Sequence, residues 1–369
     1  MRLQIKPGLV LVWRGAESVQ IGLDPERGVV LEGLAGPDRV LLEHLATGLD
    51  EAVLSELAPA SGRARQLVRL LAESEVLVGV RAGRGILAQV ARDAPRLAPD
   101  AAVWGLTYPD IGDGWELLAA RRRRVVEIRG GGRTGTALAT VLAAAGVGRV
   151  RLVEQRPVRA ADVGPGGAGV EDVGARAATA ASRAAARLRP GGEDGSDDGR
   201  SPSPAGRSAR PADLVVLVRA AVADSASAAA LLAAGVPHLS VVVRERGLVV
   251  GPLVVPGRGA CLRCLDLHRA DRDPAWPRVL AQLTGRASPT ANEEAASAVL
   301  AASLAALQVL CHLDGRARAA TVSATLEVGL PNGLASRRPW PPHPSCGCGR
   351  VAPTGHRERS GATAGRMGA

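Results

Sequence analysis

The six residues Gly130-Gly131-Gly132-Arg133-Thr134-Gly135 constrain this chain more than any other segment. They follow a short apolar run, Val125-Val126-Glu127-Ile128, and open an Ala- and Leu-rich stretch from Thr136 to about Ala145. A second run, Arg149 to Glu154, comes next. Strand, glycine turn, helix and strand in that order mark a parallel βαβ unit, because parallel neighbours need a crossover connection. Gly130, Gly132 and Gly135 fit G-x-G-x-x-G in this context, and Glu154 ends the next strand 154 − 130 = 24 residues on. Glycines there let the backbone approach a phosphate, the helix N-terminus offers free N–H donors, and an acid at that distance bonds ribose hydroxyls. Two readings fit: a nucleotide site, or a tight structural turn in a doubly wound sheet.

The alternation continues downstream. A helix is expected at about Ala175–Leu188, and Leu214–Val218 is a continuous apolar run of the kind found in buried parallel strands. Helix Ser225–Ala234, strand Leu239–Val243, a long helix Ala291–His312 and strands within Ala320–Val328 follow. Residues 121–350 therefore predict an α/β domain. Residues 189–212 read as a disordered insertion by composition, and 351–369 as a disordered tail. Residues 1–80 differ: strands Leu9–Trp13, Ser18–Leu23 and Gly28–Leu31 precede helices Pro37–Ala46 and Gly62–Glu73, which predicts a small winged-helix-like α+β domain. Residues 81–120 form a connecting segment, with a short helix and strand within Leu97–Leu106 and a turn at Gly112–Trp115.

Four of the five cysteines come as close pairs, Cys261/Cys264 and Cys346/Cys348, separated by 346 − 264 = 82 residues. Four thiolates suit a closed tetrahedral zinc ion with no position left for water, hence a structural site. The alternative is four reduced, buried thiols. His343, three residues before Cys346, is a substitute ligand in principle, and Cys311 reads as a small core residue. His238, His268 and His312 are dispersed without a Ser or Cys partner, so no catalytic residue is assigned.

The chain has 46 Lys+Arg against 36 Asp+Glu, a net charge of +10. A basic balance often signals nucleic acid, but these arginines are scattered and aromatics are only 2%. No nucleic-acid partner is expected, and Arg121–Arg124 read as a solvated edge. No run approaches the ~20 apolar residues of a membrane helix, so no membrane partner and a cytoplasmic location are expected. A nicotinamide-dependent oxidoreductase would share the glycine turn, but no catalytic residue for it is visible. Lys6 is the sole lysine.

The βαβ unit, Glu154 followed by Pro157-Val158, strand Leu214–Val218, and Gly251-Pro-Leu-Val-Val-Pro-Gly257 leading to Cys261-Leu-Arg-Cys264 resemble the ThiF/MoeB superfamily, the ubiquitin-activating-type adenylating fold. The resemblance covers about residues 121–350. It implies a Rossmann-like, ThiF-type doubly wound sheet with a structural zinc site. It implies ATP and Mg2+ as cofactors, held through Gly130, Gly132, Gly135 and Glu154, and adenylation of the C-terminal carboxylate of a small protein or peptide. A homodimer is also implied.

Trp13-Arg14, Ser18–Leu23 and the following helices resemble the peptide clamp called a RiPP recognition element. A clamp joined to a ThiF-like domain resembles the partner protein of azoline-forming cyclodehydratases. That resemblance implies a leader peptide added as a strand, with a separate YcaO-type partner enzyme using ATP. The matching positions fall near Val19–Leu23 or Val29–Leu31 and near Arg65–Arg69, so that Val19, Ile21, Leu23, Arg65 and Arg69 are expected to meet the peptide. The chain departs from active adenylating members, which use a lysine near the phosphates and a magnesium-binding aspartate just after the strand matching Leu214–Val218. Here that place reads Arg219-Ala-Ala-Val-Ala-Asp224, and Arg176 or Arg183 would have to replace the family's helper arginine. The expected function is a peptide-binding scaffold or cyclodehydratase-type partner with a degenerate nucleotide site. The alternative is an active ATP-dependent adenylyltransferase.

Overall fold

The computed structural model describes residues 2–50, 53, 62–80, 90, 93–188, 210–284 and 293–350. The chain divides into two compact units. The first holds Met1–Arg124, Leu142–Arg149 and Ala186–Asp197; the second holds Val125–Val141, Val150–Ala185 and Asp198–Ala369. Residues 189–209 of the expected insertion, the tail 351–369 and positions 291–292 of the expected long helix lie outside the described residues.

In the first unit, β2 (Leu11–Gly15), β3 (Ser18–Ile21) and β4 (Val29–Leu31) form an antiparallel sheet in the order β2-β3-β4. Val19 and Ile21 alternate with the half-buried Ser18 and Gln20, so β3 turns one apolar face inward. A second antiparallel sheet, β5-β1-β6, joins β1 (Arg2–Ile5), β5 (Leu49–Asp50) and β6 (Leu77–Val80). The sequence reading missed this sheet, because its strands are two to four residues long and carry little alternation. Helices Gly36–Thr47 and Gly62–Glu73 add Leu41, Leu42, Leu45, Leu67 and Leu71 to the core around Val19 and Ile21.

The expected short helix and strand within Leu97–Leu106 are one helix, Ala94–Thr107. Pro99 forfeits a hydrogen bond inside it. Leu97, Ala101 and Gly105 nevertheless share one buried face at i, i+4 and i+8, and that burial keeps the helix continuous. Arg121 also departs from the solvated-edge expectation: it is 1% exposed, with its guanidinium 4.6 Å from the Trp104 ring centre.

Asp38 fixes the start of helix Gly36–Thr47. Its Oδ2 accepts from Ala35 N at 2.8 Å and from Arg63 Nε at 2.9 Å. Burial alone would raise its pKa, but the Arg63 and Ala35 bonds overcome that and hold the carboxyl below the ordinary aspartate value. Asp38 therefore contributes fully above the unfolded-state pKa, and the contribution is lost as pH falls through the folded-state value. Asp38→Asn is expected to cost about 1–2 kcal/mol at neutral pH. The difference from the wild type should shrink on acidification, as read by denaturant melts across pH. An unchanged difference at all pH values would contradict the assignment.

The second unit is built on a seven-stranded sheet in the order β13-β12-β11-β10-β9-β7-β8. Its strands are β7 (Val125–Arg129), β8 (Arg149–Val153), β9 (Leu214–Ala220), β10 (His238–Arg244), β11 (Gly247–Val254), β12 (Ala324–Gly329) and β13 (Ala335–Pro339). The pairs β7–β9 and β9–β10 are parallel; β10–β11, β11–β12 and β12–β13 are antiparallel. The chain leaves β7 through helix Gly132–Ala144 to β8 on one side, then returns through helix Ala177–Ala186 to β9 on the other. The C-terminal end of β7 is thus the topological switch point, where open α/β sheets form a crevice for ligands.

Helix Ala295–Asp314 is long and apolar enough to cross a membrane by length and composition. Ala298, Ala301, Ala302, Ala305, Val309 and Leu313 form a buried face along it, and it packs on β10 and β11. That is the arrangement of a core helix.

Candidate nucleotide cradle and candidate metal centre

The glycine turn sits at the end of β7. Gly130 (φ +121°) donates its N–H to Val153 O at 3.1 Å, and a Cβ there would lie 2.2 Å from Val218 O of β9. A Cβ at Gly135 would lie 2.2 Å from Gly130 O. Gly130 and Gly135 are therefore required by close backbone approach, whatever the turn binds. Glu154 is drawn into the turn: its Oε2 accepts from Gly131 N at 3.0 Å, and its Oε1 from Arg156 N at 3.0 Å. Burial would raise its pKa, but these N–H bonds and the Arg156 charge hold the carboxyl below its ordinary value. The structure thus brings Gly130, Gly132, Gly135 and Glu154 together, with Glu154 clamping the loop.

Arg219, Asp224 and Arg183, each named as a departure from the active pattern, are all committed to partners. Arg219 Nη1 donates to Arg129 O at 2.9 Å, and its Nη2 pairs with Asp224 Oδ2 at 2.6 Å. A guanidinium therefore lies across the ends of β7 and β9. Asp224 is the N-cap of helix Ser225–Ala233, accepting from Ser227 N at 2.9 Å. Burial pushes its pKa up, and Ser227 and Arg219 together bring it below the ordinary value. Arg159 is paired with Asp162 at 3.0 Å, and Arg183 with the buried Asp172 at 2.8 Å. Asp162 and Arg159 lie just after Pro157-Val158 and are the site residues the sequence reading left without a role.

Glu293 completes the rim. Its Oε2 accepts from Thr134 N at 2.6 Å, Arg133 Nη1 donates to its main-chain oxygen at 2.7 Å, and a Cβ at Gly132 would lie 2.5 Å from its Oε1. Burial pushes this carboxyl above the ordinary glutamate value, only partly offset by Thr134 and Arg133, while Asp162 adds to the rise. The next residue, Glu294, caps helix Ala295–Asp314 by accepting from Ala296 N and Ser297 N. Two adjacent acids before an Ala-rich helix were the available signal, since one suffices for a cap.

The four paired cysteines converge. Cys261 is the N-cap of helix Leu262–Arg272 and Cys264 lies in its first turn, while Cys346 and Cys348 come from the loop after β13. The Sγ separations are 3.9 Å for Cys261–Cys264, 3.7 Å for Cys261–Cys346 and 3.5 Å for Cys264–Cys348, and all four sulfurs lie within 4.8 Å of one another. Sulfurs ~2.3 Å from a tetrahedral centre are about 3.8 Å apart, so the cluster fits one zinc ion. Val254, Ala260, Leu265 and Trp340 close around it. Burial pushes the Cys261 thiol up and the Cys348 thiol up to about 11, while for Cys264 burial is outweighed by hydrogen bonds that bring it below the ordinary value; a bound cation would favour the thiolate form of Cys261 and Cys348.

His343 is not a substitute ligand. Its Nδ1 accepts from Ser345 N at 3.1 Å, which leaves Nε2 protonated and paired with Asp271 at 2.8 Å. The same tautomer argues against a second metal at His268, Asp271 and His343, which lie close together. Cys311 stands apart, its Sγ 3.4 Å from Ala317 O.

In the first unit, Val19 and Ile21 are core residues of the middle strand, whose two edges are taken by β2 and β4. They have no exposed side chain to offer a peptide. Among the described residues, β2 and β4 (Val29–Leu31) are both outer strands of this sheet, each pairing only with β3. Leu23 is 68% exposed, and Arg65 and Arg69 are exposed on helix Gly62–Glu73.

The chain matches no protein-family model and no curated protein. Solved structures are similar to it over nearly their whole length. Escherichia coli MccB solved with ATP is 16% identical with a TM-score of 0.64, covering 94% of this chain and 99% of its own. The microcin C7 biosynthetic enzyme MccB in complex with N-formylated MccA is 16% identical with a TM-score of 0.64, covering 95% and 100%. PaaA is 16% identical with a TM-score of 0.63, covering 90% and 98%. At this identity the likeness shows the fold, and it is the ThiF-type fold expected for the second unit.

Proposed function

We propose that this chain is a ThiF-type protein that binds a peptide or small protein for modification, and that its glycine turn is a nucleotide cradle not equipped for adenylation. The observation that carries this reading is the fate of the two groups phosphoryl chemistry needs. The acid after β9, Asp224, is consumed by Ser227 and Arg219, and Lys6 is buried in the first unit with its Nζ on Gly105 O and Pro109 O. Metal and cation contacts to developing phosphate charge are each worth roughly 10²–10³ in rate. The peptide would add as a strand along β4, with Leu23, Arg65 and Arg69 beside it, and a YcaO-type enzyme would supply the ATP-driven step. Zinc on Cys261, Cys264, Cys346 and Cys348 is structural in this reading.

An active adenylyltransferase is the second reading. It is supported by the similar folds solved with ATP and with N-formylated MccA. ATP–pyrophosphate exchange with candidate acceptors separates the two: no exchange is expected, and exchange abolished by Gly132→Asp would overturn the scaffold. For the clamp, the full chain should bind labelled peptides encoded beside its gene. The double variant Arg65→Glu, Arg69→Glu should weaken that binding about tenfold or more without lowering thermal stability, since both side chains are exposed. Undiminished peptide binding would move the groove elsewhere.

A further inference from the structure

The position of Glu293 asks for an explanation that helix capping does not give. Helix Ala295–Asp314 is already capped by Glu294. The Glu293 carboxylate instead crosses to a different helix, Gly132–Ala144, and takes the N–H of Thr134 in its first turn at 2.6 Å. Its other oxygen stands 2.5 Å from where a Gly132 Cβ would be. Arg133, the one cation inside the turn, is spent on the Glu293 carbonyl at 2.7 Å and on Val163 O at 2.8 Å. The first-turn N–H groups of such a helix are where a phosphate would be held. Gly131 N is also spoken for, by Glu154.

We propose that Glu293 is a built-in anion filling the phosphate seat of the glycine turn, so that Mg·ATP enters only by displacing it. This rests on the reading of the turn as a nucleotide cradle. A carboxylate and a phosphate cannot share one set of N–H donors, and their like charges repel at that range. The state that binds nucleotide is then only a fraction of the population, and apparent affinity falls by that fraction. The seat becomes a self-occupied site, opened by whatever draws Glu293 away.

The test uses the full chain and two variants, Glu293→Gln, which keeps the shape and removes the charge, and Glu293→Ala, which removes both. Calorimetric titration with Mg·ATP should show affinity rising about tenfold or more in Glu293→Ala, with Glu293→Gln between it and the wild type. Inorganic pyrophosphate should raise the melting temperature of Glu293→Ala but not that of the wild type. Equal or weaker ATP binding in both variants, with no stabilisation by pyrophosphate, overturns the proposal while leaving the nucleotide reading intact. Pyrophosphate stabilisation of Glu293→Ala without ATP binding in any form keeps the filled seat and overturns the nucleotide reading. No response to either anion in any form overturns both. A melting temperature for each variant without added anion shows that it is folded.

Discussion

Cys264→Ser is expected to release the metal and to cost on the order of 4 kcal/mol or more, because loss of a metal site belongs among the few single changes that large. Cys264 has no exposed surface and touches both cysteine pairs, with Cys261 at 3.9 Å and Cys348 at 3.5 Å. Without the ion, a buried hydroxyl replaces one thiolate and three others are left without a counter-charge. Elemental analysis should give about one zinc per wild-type chain and a sharply reduced content in the variant, with a lower calorimetric melting temperature. Cys311→Ser is the control, since Cys311 lies outside the cluster. Wild-type protein that folds normally without metal would refute the site.

The second large effect is expected at Gly130. Gly130→Ala places a methyl 2.2 Å from Val218 O at φ +121°, where side chains are rarely tolerated. Val218 cannot retreat, since β9 is paired on both sides, to β7 and to β10. Backbone strain and overpacking together predict about 3–5 kcal/mol of destabilisation. Gly166→Ala separates the two terms: Gly166 also has positive φ (+70°), but nothing lies within 4 Å of its Cβ position. It should cost only about 1 kcal/mol. Similar losses at both positions, measured by urea melts, would show that the contact with β9 is unimportant.

The βαβ unit and the cysteine set were legible because their signals are local: a run of β-branched residues, a glycine turn in order, two pairs at ligand spacing. The details of the site were not, because they depend on partners distant in the chain. Glu293 meets Thr134 across 159 residues, and nothing in either segment announces the other. Arg219 and Asp224 were visible as a departure from a pattern, but only their 2.6 Å pairing shows that the acid is committed. Val19 and Ile21 entered as peptide contacts through a resemblance, and sequence alone does not say that β3 is the middle strand, where both side chains are buried. Within Leu97–Leu106 a single helix replaces the expected short helix and strand, because burial of Leu97 and Ala101 holds it together past Pro99.

The last strand carries a consequence beyond the cysteine cluster itself. β13 is exposed along all five residues and covers the side of β12 that would otherwise be the open rim of the sheet. Its Arg337, Arg338 and Pro339 are residues that discourage another chain from pairing there. Immediately after it, Trp340 is buried with its Nε1 on Thr325 Oγ1 at 3.0 Å, and the second cysteine pair follows. The cysteine clasp therefore pins down the guard of an otherwise adhesive border. If the clasp holds a zinc ion, removing it is expected to lift that guard and offer β12 as a template, so that failure would be colloidal, seen as self-association before full unfolding.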